Sequence, residues 1–179
     1  MKKLIALLVL LIPSQACSVD IDAKDRVKNQ KPGFCAWASL ETLGNHHKIK
    51  KMNGLLESRK GLPSKWIIEH GWLVWVDASD GFVTTIKEKL DELKVKYYIR
   101  EYGERDLLPC VNDYGAAVGM SKETVGADGI KFGEAHMIIL TRYNKKMVRF
   151  IDPNDRQEYE ASREWFDKYW EGVIVIVEK

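Results

Sequence analysis

Apolar positions along the chain change period near its middle. Between Gly33 and Leu93 they recur at helical spacing; beyond Val95 they alternate or run together as in strands. After Gly33, Ala36, Leu40 and Leu43 fall at i, i+4 and i+7 and predict a helix that Gly44-Asn45 ends. Ile49, Met52, Leu55 and Leu56 predict a second helix over Lys48 to Lys60. Ser64 is placed to cap a short third one that Gly71 terminates. Phe82, Ile86, Leu90 and Leu93 mark an amphipathic helix starting after Asp80. The runs "VKYYIR", "GAAVGM", "HMIILTRY", "MVRFID" and "GVIVIVE" read as strands, with one late helix near Ser162 to Tyr169. Helices first and an antiparallel sheet afterwards predict an α+β fold.

The N-terminal pattern belongs to no folded element. Lys2 and Lys3 precede an apolar run from Leu4 to Ile12, then Pro13 and the small-residue pattern Ser14-Gln15-Ala16. This is the pattern of a secretory signal peptide, too short to span a membrane permanently. The expected organisation is a signal peptide at 1–16, a short N-terminal segment at 17–29 and one domain at 30–179. Cleavage after Ala16 removes two lysines and takes the formal charge from +2 to neutral. A balanced charge with no basic stripe gives no footprint for nucleic acid. The expected location is secreted or periplasmic. Because Cys17 directly follows the cleavage point, a lipoprotein anchored through Cys17 is the alternative, and a membrane is a partner only in that case. Three cysteines remain, Cys17, Cys35 and Cys110, so an oxidising compartment pairs at most two. Cys110 reads as structural or as a partner for Cys17, and Cys35 as the cysteine left over.

Candidate chemistry gathers at two places. In "QKPGFCAWAS" Cys35 stands two residues after a glycine where a helix begins, with Gln30 five residues upstream. A helix N-terminus and a nearby imidazolium both favour thiolate. Gln30 could offer its side-chain amide to an oxyanion together with the Cys35 backbone N–H. In "HMIILTRYNKKMVRFID" His136 and Asp152 flank an expected hairpin. With a three-residue turn Tyr143-Asn144-Lys145, Arg142 faces Lys146, Leu140 faces Val148, Ile138 faces Phe150 and His136 faces Asp152. Directly opposed Cβ atoms lie about 4.5–5.5 Å apart, within reach for a carboxylate to hold an imidazole. Such a pair prepares the histidine to act as base and then as acid.

The order Gln30, Cys35, His136, Asp152 resembles the papain-like cysteine peptidases, nearest the bacteriocin-processing, double-glycine branch, whose histidine-led strand is followed by "DP" as in "AHMIIL…FIDP". The resemblance spans about residues 28 to 179. It implies Cys35 as nucleophile, His136 as general base and acid, Asp152 as orienting carboxylate and Gln30 as oxyanion donor, with a peptide or protein as substrate and a monomer as the working form. Two departures stand in the sequence: Cys35 is followed by Ala36-Trp37 where papain has Trp-Ala, and Asn29 occupies the place six before the cysteine where relatives commonly carry the glutamine.

Other residues receive plainer readings. His46 and His47 are adjacent at a helix end, point to different sides and have no CxxC or HxxxH partner, so neither metal nor cofactor is expected. His70 beside Gly71 reads as a helix C-terminal residue, Asp155 as second choice for the carboxylate, and Trp37 or Trp72 as candidate cleft walls. "SKETVGADGIKFGEA" reads as a flap before His136. Two other functions use the same fold: an amidase or transglutaminase-like acyl transferase with the same triad, and a catalytically silent peptide-binding domain.

Overall fold

The computed structural model describes residues 18–29, 33–60, 62–69, 71–77, 81–125 and 132–179. The segments 1–17, 30–32 and 126–131 fall outside them, and with them the expected signal peptide, Cys17, Gln30 and the centre of the expected flap; so does His70. Chain order runs α1 (Cys35–His46), α2 (Leu55–Ser58), β1 (Lys65–Glu69), β2 (Trp72–Val76), α3 (Val83–Glu92), β3 (Lys96–Arg100), α4 (Val111–Tyr114), β4 (Ala116–Met120), β5 (His136–Tyr143), β6 (Met147–Ile151), β7 (Glu158–Ser162), α5 (Arg163–Tyr169) and β8 (Trp170–Glu178). The architecture is α+β, with a six-stranded sheet in the order β3-β8-β4-β5-β6-β7 and a separate hairpin β1-β2. Every pairing is antiparallel.

The sheet is buried on both faces, which is why its central strands read as unbroken apolar runs. Ala117, Met137, Ile139, Ile151, Val175 and Val177 pack with α1, through Ala36, Trp37, Leu40 and Leu43. Their alternating neighbours Val118, Ile138, Leu140, Val148, Phe150 and Ile174 pack with Leu108, Val111 and Phe166 on the other face. Ser162 caps α5 by accepting the Trp165 backbone N–H at 3.1 Å. Among the described residues, no helix is long and apolar enough to cross a membrane.

The structure corrects four sequence expectations. Gly44-Asn45 does not end α1, which continues to His46; a Cβ on Gly44 would lie 2.5 Å from the Met52 Cβ, so this glycine admits the neighbouring segment instead. The second helix is broken into a 3-10 turn at Lys50–Met52 and the short α2, divided at Gly54 with φ 73°, although Met52, Leu55 and Leu56 are buried as expected. The segment between Ser64 and Gly71 is no helix. "KWIIE" and "WLVWV" pair as β1 and β2 because β-branched and aromatic residues favour strands, and Gly71 at φ 82° turns the chain between them. Strand β7 was absent from the sequence reading, its polar "EYEAS" lying on the sheet edge beside β6.

The fourth correction concerns the β5-β6 register. The tip pairs Tyr143 with Val148 and Arg142 with Arg149, leaving four residues between the last paired positions where the expected register left three. Continued unchanged, that register would set Ile139 against Asp152 and leave His136 on the opposite face. A bulge at Thr141 shifts the ladder by one residue, so that Leu140 pairs with Phe150 and Ile139 with Ile151. β6 ends at Ile151; one step further this register would set Ile138 against Asp152, with His136 diagonal to it on the same face. The even spacing survives although the pairing partners differ, because an even turn and a one-residue bulge together restore the parity.

Candidate active site

Gly33 reverses the chain into α1 at φ 82°, a conformation that costs other residues strain, and Cys35 follows as the first helical residue. Cys35 is buried and unpaired with another cysteine. Its Sγ accepts the backbone N–H of Met137 at 3.3 Å. His136 opens β5 beside it, buried, and lines the same cleft as the Cys35 sulfur. His136 Nε2 and Asp152 Oδ1 are 2.9 Å apart, so Nδ1 is the ring nitrogen that Asp152 does not engage. Diagonal neighbours on a sheet have Cβ atoms about 7 Å apart, a gap that an imidazole and a carboxylate together span. Phe132 packs edge-on against the imidazole, ring centroids 4.7 Å apart.

Asp152 is held from its own turn. Its Oδ1 also accepts the Asn154 N–H at 2.8 Å, its N–H donates to Gln157 O, and its carbonyl accepts from the Arg156 N–H. Asp155, the second-choice carboxylate, instead accepts from the Gln157 N–H and the Tyr159 hydroxyl. The segment leading to Gln30 is fastened to the same turn: the Asn29 N–H donates to Pro153 O at 2.7 Å and its Nδ2 to Asn154 Oδ1 at 2.8 Å. Asn29 thus stands beside the Asp152 turn, where the resemblance led one to look for a glutamine.

Electrostatics follow from this packing. Burial disfavours the imidazolium, but the hydrogen bonds and negative charge of Asp152 and Cys35 outweigh it, and the His136 pKa is raised from 6.5 to about 9. An imidazole in this environment holds its proton through neutral pH.

A cleft of about 510 Å³ opens over the pair, lined by Gly33, Cys35, Ala36, His136 and Met137 and walled by Gly81, Phe82, Gly119, Ala135 and Val173. Glycine and alanine supply five of its thirteen lining residues. A Cβ on Gly81 would fall 2.1 Å from the Ala36 Cβ, so the loop entering α3 rests directly on α1, one residue past Cys35. Glu134 and Glu171 add two exposed carboxylates to the rim. Neither candidate tryptophan walls this cleft: Trp37 is fully buried in the core with the Arg59 guanidinium over its ring, and Trp72 is exposed on the β1-β2 hairpin. Among the described residues, no group of three or more His, Cys, Asp and Glu is arranged to hold a metal ion.

The sequence reading missed Phe132, the Met137 peptide N–H and Ser39. Ser39 had a legible signal, a hydroxyl one turn after Cys35 on an otherwise apolar helix face. The N–H of Met137 had none, since every residue but proline carries one.

A helical layer against an antiparallel sheet is the fold of papain-like cysteine peptidase domains. Solved structures sharing it are peptidase domains of double-glycine-motif proteases. The double-glycine-motif protease from an AMS/PCAT transporter, solved in complex with its leader peptide, matches with a TM-score of 0.53 at 12% identity, covering 84% of this chain and 88% of that one. The peptidase domain of Streptococcus mutans ComA gives 0.52 at 16% identity over 87% and 99% of the two chains. That of Streptococcus ComA, a bifunctional ABC transporter involved in quorum sensing, gives 0.53 at 16% over 85% and 96%. No family model matches the sequence, and no curated protein does.

Proposed function

We propose that this protein is an exported cysteine peptidase that cleaves peptide bonds through a thioester. The observation that carries this reading is that Cys35 and an imidazole held by Asp152 at 2.9 Å line one open cleft. His136 then rests protonated beside the Cys35 sulfur. Cys35 Sγ attacks the scissile carbonyl carbon, and the oxyanion that forms is met by the Cys35 backbone N–H and the Gln30 amide. His136 gives its Nδ1 proton to the leaving amine as the C–N bond breaks, leaving an acyl-thioester. The now neutral imidazole takes a proton from water, the hydroxide attacks the thioester, and thiolate and imidazolium are regenerated with release of the acid. Asp152 keeps the ring oriented throughout and stabilises it whenever it carries the proton.

The small residues around the cleft favour a substrate with little side-chain bulk at the scissile bond. One structural neighbour is solved in complex with a leader peptide, which supports a peptide as the ligand of this cleft. Export rests on the basic, apolar and small-residue order of residues 1–16.

The test is alkylation and turnover together. Iodoacetamide should label Cys35 faster than Cys110, and Cys35→Ala should abolish cleavage of a peptide with glycine on both sides of the scissile bond. Equal labelling of the two cysteines, or full activity in Cys35→Ala, removes the reading. Replacing those glycines with leucine should slow cleavage at least about tenfold, the scale of one poorly fitted apolar side chain. With an amine added, the acid rather than an amide should remain the main product.

A further inference from the structure

Where β6 stops, at Ile151 opposite Ile139, the next outward-facing peptide group of β5 belongs to Met137, two residues earlier and on the same side of the strand. No strand reaches it there. Two side chains of α1 take the strand's place. The Met137 N–H donates to Cys35 Sγ at 3.3 Å, and the Met137 carbonyl accepts the Ser39 hydroxyl at 3.2 Å. Cys35 and Ser39 are one helical turn apart, so one stripe of α1 grips both polar groups of a single residue. All three are buried, and Ser39 is fully so, on a face otherwise made of Ala36, Leu40 and Leu43. A hydroxyl kept in such surroundings needs a partner, and the Met137 carbonyl is the one it has.

We propose that Ser39 is a positioning residue for the nucleophile: by holding the Met137 carbonyl it aims the Met137 N–H at the sulfur, making that peptide group a second hydrogen-bond donor to the thiolate beside His136. The inference rests on Cys35 being the nucleophile. A donor fixed on the charged form favours thiolate over thiol. The other ionisable groups at this point are His136 and Asp152 on the sheet side and the rim carboxylates Glu134 and Glu171, none of which Ser39 touches.

Two measurements decide it. In the wild-type protein, the Met137 amide proton should move downfield in NMR spectra across the same pH range in which Cys35 alkylation switches on, and should lose that response in Cys35→Ala. In Ser39→Ala, the pH midpoint of Cys35 alkylation should rise by roughly half a unit or more and kcat/KM should fall about tenfold, with Ser39→Thr recovering most of both. A Met137 amide indifferent to thiol ionisation overturns the proposal, as does a folded Ser39→Ala with lower Tm but an unchanged pH profile. If Ser39→Ala fails to fold, the wild-type titration and Ser39→Thr still decide. Loss of cleavage in Cys35→Ala stands apart from all of these, so the peptidase reading and the role of Ser39 fail separately.

Discussion

At the residue scale the protein turns on one proton. With the His136 pKa raised to about 9, kcat/KM should fall on the alkaline side with a midpoint near that value as the imidazolium is lost. Asp152→Asn removes the charge that sustains the shift while nearly preserving shape. Its alkaline limb should move to lower pH, and its rate should drop about 10²–10⁴-fold, the usual contribution of a well-placed proton-transfer group. A pH–rate series on both proteins checks this, and an unmoved limb would mean that Asp152 does not govern the imidazole. Stability should follow the same proton. Because the folded value lies above the unfolded 6.5, the charged imidazole stabilises the fold fully below about pH 6.5, and that share is lost as pH rises through about 9. Melting curves of wild type and His136→Ala should therefore converge at high pH. Cys35, His136 and Asp152 stand out in the sequence as candidates by residue type and order, and the structure brings His136 and Asp152 to 2.9 Å. The nitrogen that His136 gives to Asp152 was not legible there, since tautomer follows from packing.

Among the elements, two glycines separate stability from alignment. Gly44 lets Met52 close on α1, and Gly44→Ala forces a Cβ to within 2.5 Å of another. The expected cost is about 1–3 kcal/mol of stability, read as a lower denaturation midpoint with kcat/KM of the folded protein unchanged. Gly81 rests on Ala36 at the edge of the cleft. Gly81→Ala should instead displace the start of α3 from the nucleophile's helix and lower kcat/KM up to about 10²-fold, the effect of a misplacement near 1 Å. A reversal of the two phenotypes would contradict the packing described here. Element boundaries were legible where periodicity was strong, as in α3, β5 and β8. They were misread where a glycine served a close approach or a turn, since a glycine looks the same in both settings. The β1-β2 hairpin shows this: Gly71 was read as a helix stop and is a strand reversal.

For the whole molecule, the stretch between the expected cleavage point and the domain is short, and its described part is bound into the fold. Val19 and Ile21 are buried in the core, and the Val19 N–H donates to Thr141 O. Such a segment braces the sheet rather than blocking the cleft. Protein beginning at Cys17 should therefore cleave substrate without further processing, and its mass should remain constant as activity is measured. The cleft also gives oxidants a route to the Cys35 sulfur, so activity should depend on added thiol. Activity that appears only after a mass loss would assign the segment an inhibitory role instead.

Taken alone, the sequence determined the class of fold and the chemical inventory: apolar periodicity set helices before strands, and a cysteine behind a glycine with a distant histidine and aspartate set the candidate chemistry. Tertiary structure decided how those groups meet. The turn and the Thr141 bulge each shift the β5-β6 register by an amount that local propensity does not encode, and only their combination leaves His136 and Asp152 on one face. Likewise the grip of Cys35 and Ser39 on Met137 exists because β6 ends early and α1 lies across the vacancy. Local preferences are properties of short stretches, whereas register and vacancy are settled by the packing of segments about a hundred residues apart.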